Sequence, residues 1–76
     1  MDHKALVILA QMLDKARIQA NAIEVTAPQS GVYGDIANAL QQTLTFLTDD
    51  AAAANRIYDD IIENGSSVKE AVKAYL

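Results

Sequence analysis

The sequence has no cysteine and no tryptophan, a single proline and only three glycines among its 76 residues. Without cysteine the chain forms no disulfide, and its one histidine cannot complete a cysteine–histidine zinc site. A domain of this length buries only about 60–65% of the surface that its unfolded chain exposes, so its core is thin. Such a chain depends on good helix packing or on self-association for its stability.

Positive charge is also scarce, and it is scattered along the chain. Six Lys and Arg residues stand against ten Asp and Glu, which gives an acidic protein of net charge −4 at pH 7. Binding to phosphates requires clustered Lys and Arg, so nucleic acid is an unfavoured partner. The longest apolar run, Ala5 to Ala10, is far shorter than the ~20 residues that span a bilayer, and no signal-peptide pattern is present. These features predict a cytoplasmic protein that does not enter a membrane.

Apolar residues recur with helical spacing instead, most clearly in the first third of the chain. Alternating steps of three and four residues define a heptad seam, and its members are Leu6, Leu9, Leu13, Ala16, Ala20 and Ile23. The seam predicts a long helix over residues 4–23, with Asp2 as its N-cap. Because three further amphipathic runs must also bury an apolar face, we expect most of the seam to lie in the core.

The three further runs predict helices over residues 32–47, 50–63 and 68–76. The segment around Pro28 separates the first two helices, because proline disfavours helical geometry in the residue before it. Apolar positions of the last helix continue to Leu76, so we expect that residue to pack into the core. Residues 1–76 are thus predicted to form a single all-α domain, a small compact four-helix bundle with a long first helix and a short last one.

Local signals mark the helix ends. Thr48 or Asp49 is expected to cap the third helix. Gly65 follows the last apolar position of that helix and is expected to end it in left-handed geometry. Ser67 and Glu70 have the spacing of a capping box, in which each side chain binds the backbone N–H of the other residue.

Residues that could carry chemistry do not assemble into a recognisable arrangement. His3 has no identifiable partner for proton transfer or metal binding. Asp49 and Asp50 are separated from Asp59 by a run that begins with four alanines, and so the alternating oxygen ligands of a calcium loop are missing. We therefore predict that the protein is not an enzyme and holds no metal and no cofactor.

Apolar residues outside the seam suggest a surface for a partner. Val7 and Ile18 are eleven positions apart, so they lie within ~20° of each other on a helix, and a monomeric bundle would leave both exposed. Ile8 and Met12 widen the apolar surface at the same end. We predict that these four residues contact a protein partner, and we expect self-association as a symmetric dimer through helix one.

The predicted function is that of a non-enzymatic protein-interaction module, which binds and thereby inhibits or regulates a macromolecular partner. Immunity proteins, antitoxins and anti-defence proteins are analogous in size and class only. Two alternatives remain open. Residues 57–76 have the outline of a helix-turn-helix, which would make the chain a DNA-binding regulator. A small ligand could also bind between helices, with Tyr33, Tyr58 and Tyr75 supplying ring faces and hydroxyls.

Overall fold

The computed structural model describes residues 3–75, most of which belong to four α-helices. They are α1 (His3–Thr26), α2 (Val32–Thr48), α3 (Ala51–Ile62) and α4 (Val68–Tyr75), with a 3-10 turn at Pro28–Ser30 between the first two. The described residues contain no strand. The predicted fold class, a small all-α bundle with a long first helix and a short last one, is confirmed. Asp2 and Leu76, expected as a cap and as a core residue, lie outside the described residues.

The four helices form a closed ring in which each packs against two others. α1 contacts α2 and α4, and α3 also contacts α2 and α4. Short connections make consecutive helices antiparallel. With 24 residues α1 is about 36 Å long, whereas α3 with 12 residues and α4 with 8 are about 18 and 12 Å long. Consequently, α3 and α4 cover only one half of the α1–α2 hairpin.

We call the four-helix part the proximal half and the uncovered part of the hairpin, residues 17–37, the distal half. The proximal half contains the main core, to which every helix contributes. Its buried members are at most 4% exposed, and they are Leu6, Ala10, Leu40, Leu44, Ala54, Ile57, Ile61, Val68, Ala71 and Val72. Burial of each Leu or Ile side chain contributes about 1.5–3 kcal/mol, and so this cluster is the principal source of stability.

The buried side of α1 differs from the predicted seam. Leu6 and Ala20 are buried as expected, but Leu9 and Ile23 are 41% and 49% exposed. In the ring α1 is flanked by α2 and α4, so the sector between these two neighbours is buried. That sector is centred near Leu6 and Ala10, and Leu9 falls at its edge.

The first helix also ends later than predicted. It continues to Thr26, where the Thr26 hydroxyl donates to the carbonyl of Ile23 at 3.0 Å and the N–H of Ala27 donates to the same carbonyl at 2.9 Å. Pro28 then begins the 3-10 turn. The separating loop is therefore shorter than the sequence suggested, because local hydrogen bonds hold the last turn of the helix up to the residue before Ala27.

The predicted cap of α3, Thr48 or Asp49, is wrong. Neither Thr48 nor Asp49 caps it; the Asp50 carboxylate accepts a hydrogen bond from the N–H of Ala53 at 3.1 Å. Asp49 is in left-handed geometry with φ 51°, and the Thr48 hydroxyl donates to the carbonyl of Leu44 at 2.7 Å. Both residues therefore belong to the end of α2, which leaves Asp50 to begin α3.

The signals around α4 are confirmed. Gly65, which follows the end of α3, has φ 71°. The N–H of Glu70 donates to the Ser67 hydroxyl at 3.2 Å, and the Glu70 carboxylate accepts from the N–H of Ser67 at 3.4 Å. These short-range contacts fix where α4 begins relative to α3, and they place its apolar face against the core.

A candidate interaction face on the first helix hairpin

Large apolar side chains are exposed on the side of the α1–α2 hairpin that faces away from α3 and α4. The side chain of Phe46 is 84% exposed and that of Met12 is 63% exposed, with Ile8 and Leu9 nearby on α1. At 100° per residue, Ile8, Leu9 and Met12 occupy one sector of α1. We call this side the outer face, and its members are Ile8, Leu9, Met12, Ala39, Gln42, Thr43, Phe46 and Leu47.

A shallow open groove of about 330 Å³ lies between the two helices on the outer face. Its lining residues are Leu9, Ala39, Gln42, Thr43, Phe46 and Leu47. Ala39 and Thr43 are small, which leaves room beside the large ring of Phe46. None of the lining side chains is charged, although the chain as a whole carries a net charge of −4. An apolar group from another molecule could enter the groove without desolvating a carboxylate.

The exposure of Phe46 follows from helix geometry. Leu40 and Leu44 are fully buried in the proximal core and fix which side of α2 faces inward. Phe46 is two residues beyond Leu44, a rotation of about 200°, so its ring must point away from that core. Rotating α2 to bury Phe46 would expose Leu44. The packing of the interior therefore holds the aromatic ring at the surface.

The four residues predicted to contact a partner do not form one surface. Ile8 and Met12 lie on the outer face. Val7 is half-buried and packs against the core cluster, so the expectation that it would be exposed is wrong, because α1 is covered on that side. Ile18 is exposed in the distal half, about 120° around the helix from Met12. Their roles in partner binding stay predictions.

Of the eight residues of the outer face, the sequence predicted only Ile8 and Met12 as partner contacts. The predicted seam includes Leu9 as a buried residue, and no prediction concerns Phe46. The sequence does contain a signal for Phe46. It is the only phenylalanine in the sequence, and it lies outside the apolar face of α2 that other residues already form. A large aromatic residue outside the apolar stripe of a helix marks a surface worth testing for contacts.

Charged residues flank the outer face, with opposite signs on its two edges. Lys15 lies seven residues beyond Ile8, so the two are within ~20° of each other on α1. Asp35 precedes Phe46 by eleven residues, so these two are within ~20° on α2. Both charged side chains are exposed, and within the described residues neither forms an ion pair. The edge along α1 is thus basic and the edge along α2 acidic.

Beyond the groove, polar contacts connect α1 to α2 in the distal half. Arg17 donates from Nε to Asp14 Oδ1 at 2.8 Å and from Nη1 to the Tyr33 hydroxyl at 3.3 Å, and its guanidinium carbon is 5.9 Å from the centre of the Tyr33 ring. Burial opposes the charge on Arg17, but the hydrogen bonds with Asp14 and Tyr33 outweigh it and raise the pKa above its usual value. Glu24 accepts from the N–H of Tyr33 at 3.0 Å. The two contacts to Tyr33, from Arg17 and from Glu24, join the two helices where no third helix covers them.

Two alternative functions concern other residues: DNA binding would use residues 57–76, and ligand binding would use the three tyrosines. Within the α3–α4 hairpin, Lys69 and Lys73 are exposed on α4 together with Glu70. Tyr58 and Tyr75 are half-buried and pack against the core cluster. With Tyr33 beside Arg17 in the distal half, the three tyrosines do not converge on one site.

Within residues 3–75, no three side chains of His, Cys, Asp or Glu converge in a way that could hold a metal ion. Over the same residues, every helix is too short or too polar to cross a membrane. The chain matches no protein-family model, no curated protein and no solved structure.

Proposed function

We propose that the chain is a non-enzymatic protein-interaction module that binds a protein partner through the outer face, and that this binding inhibits or regulates the partner. The supporting observation is the 84% exposed ring of Phe46 beside an uncharged groove. Aromatic residues and Met are enriched in the centres of protein interfaces, while Lys, Glu and Asp are depleted there. Phe46 and Met12 have the character of such a centre.

The shape of the outer face favours a helical partner. A groove between two antiparallel helices accepts the ridge of side chains from a third helix. Ala39 and Thr43 permit close approach, while Phe46 offers a large contact area with few rotatable bonds. Because Leu40 and Leu44 hold α2 against the core, the face is formed before the partner arrives, and little conformational entropy is lost on binding.

A pull-down with matched variants tests the proposal. The immobilised protein, the double variant Ile8→Gln/Met12→Gln on the outer face and the variant Ile18→Gln in the distal half are exposed to the same native lysate, and retained proteins are identified by mass spectrometry. We expect a partner that the parent protein and Ile18→Gln retain and the double variant loses. Affinity for that partner, measured by calorimetry, should fall by about 30-fold or more in Phe46→Ala, as for a residue at the centre of an interface.

Other outcomes of the pull-down count against the outer face. If Ile18→Gln loses the partner and the double variant keeps it, the distal half binds instead. Equal retention by all variants would mean that none of these apolar residues contributes to binding. Circular dichroism checks that each variant keeps its helices, which we expect because all the substituted side chains are exposed.

A further inference from the structure

The geometry points to a second copy of this chain as the occupant of the outer face. This inference rests on the proposed function, since it names the protein that the outer face binds. Two copies related by a twofold axis parallel to the helices would place α1 of each copy opposite α2 of the other. Such an interface is isologous, so one patch is used twice and must complement itself.

The heights of the side chains along the hairpin meet this requirement. Leu9 lines the groove from α1, and the lining residues of α2 run from Ala39 to Leu47, so Leu9 lies near the level of Thr43, the centre of that range. Because α1 and α2 are antiparallel, each step forward along α1 corresponds to a step back along α2. Ile8 then lies within about one helical turn of the level of Phe46. A twofold axis parallel to the helices does not change levels, and it therefore sets the ring of Phe46 from each copy against Ile8 of the other.

The charged edges select this arrangement over its main alternative. With the axis parallel to the helices, the edge that carries Lys15 faces the edge of the other copy that carries Asp35. Their levels differ by about one helical turn, which a lysine side chain can span. With the axis perpendicular to the helices, α1 would face α1, so basic edges would meet on one side and acidic edges on the other. Charge complementarity thus favours the first arrangement, because like charges brought together oppose binding.

The uncharged groove explains how an acidic chain could associate with itself. A net charge of −4 makes two copies repel each other in general. Every side chain that lines the groove is neutral, however, so the contact itself brings no two carboxylates together. The apolar side chains meet at the centre, and each copy contributes one basic and one acidic edge around them.

A charge exchange between copies tests the arrangement. Lys15→Glu makes both pairs of facing edges acidic in its own dimer, and Asp35→Lys makes both pairs basic. We expect each variant alone to dimerise about tenfold more weakly than the parent chain, since both facing pairs change from attraction to repulsion. In an equal mixture, each mixed dimer contains two facing pairs of opposite charge, so dimerisation should return to near the parent level. Lys69→Glu on α4 is the control and should leave dimerisation unchanged.

The measurement is sedimentation velocity together with light scattering, from about 1 µM to 1 mM protein, a range that covers weak dimers. Phe46→Ala should weaken the dimer by about 30-fold. Its ring is 84% exposed, so circular dichroism should show that the helices are retained. Met12→Gln provides a second variant that does not depend on the charged edges.

Three results would overturn the inference: a parent chain that stays monomeric at 1 mM, a dimer that survives Phe46→Ala and Met12→Gln, or single charge variants that are weakened but not rescued by mixing. A monomeric parent chain overturns this inference but leaves the proposed function standing, because the pull-down variants then test whether another protein binds the outer face. If the parent protein retains no partner in the pull-down and is also monomeric, both proposals are wrong.

Discussion

The two halves of the helical hairpin are held together by different means. In the proximal half, large aliphatic side chains from four helices form the core. In the distal half the buried residues are Ala20 and Ala37, and Arg17 reaches across to Tyr33. Two helices alone cannot enclose a large side chain, whereas small residues let the two backbones approach and polar contacts join them at the surface. The number of helices that meet at each level therefore determines which side chains can stabilise it.

The comparison has an energetic side. A buried Leu or Ile contributes about 1.5–3 kcal/mol, but a single hydrogen bond contributes only about 0.5–1.5 kcal/mol net. The distal half gains little free energy from buried Leu or Ile side chains, so its stability depends on its attachment to the proximal half. Phe46 of the outer face lies over the proximal core. The charged residues that flank this face, Lys15 and Asp35, lie nearer the uncovered end of the hairpin.

The largest effect is expected in the proximal core. Leu44→Ala should lower the free energy of unfolding by about 2–5 kcal/mol, because Leu44 is fully buried and its removal leaves a cavity. The matched control, Leu9→Ala, removes the same atoms from a side chain that is 41% exposed and should cost much less. Urea denaturation followed by circular dichroism measures both. Equal losses would show that the proximal core is not the main source of stability.

A smaller effect is expected where the distal helices touch. Ala20→Leu should destabilise the protein by about 1–3 kcal/mol, since Ala20 is only 1% exposed and a larger side chain at a buried position overpacks it. Ala22→Leu, on the exposed side of the same helix, is the control and should be nearly neutral. If Ala20→Leu proved stabilising in thermal unfolding, the distal helices would be less closely packed than described.

The smallest effect is expected at the polar contact. Arg17→Gln removes the ion pair with Asp14 and the hydrogen bond to Tyr33, and it should cost about 1 kcal/mol because the group is only partly buried. Lys15→Gln, two residues away and exposed, should change stability by less than about 0.5 kcal/mol. Chemical denaturation at low and high salt measures the free energy of unfolding of both variants. If the two variants lost the same amount, the contacts of Arg17 would not stabilise the distal half.

Much of the fold was predictable because its signals are local. Four helices, the left-handed stop at Gly65 and the reciprocal bonds of Ser67 and Glu70 each depend on residues a few positions apart. The cap of α3 was harder to place, since Asp49 and Asp50 are equally suited to it. The choice depends on where α2 ends, which the hydrogen bond from the N–H of Asp49 to Thr45 decides.

The outer face was less predictable because burial on α1 depends on which helices flank it. A seam with steps of three and four describes contact with one partner, whereas α1 lies between two neighbours. For this reason Leu9 lies at the edge of the buried sector and not in the core, and Val7 is half-buried and not exposed. Phe46 could have been identified from its rotation relative to Leu44, but its proximity to Leu9 required knowledge of how the hairpin closes.

The turn at Pro28–Ser30 ends the distal half at the point farthest from the proximal core, and Gln29 is exposed there. Since the sequence contains no cysteine, a cysteine introduced at Gln29 would be the only thiol in the chain. Spectroscopic labels attached to this cysteine would report the distance between the two copies in a dimer. Two labels would lie at the same end of a dimer whose axis is parallel to the helices, and at opposite ends of one whose axis is perpendicular.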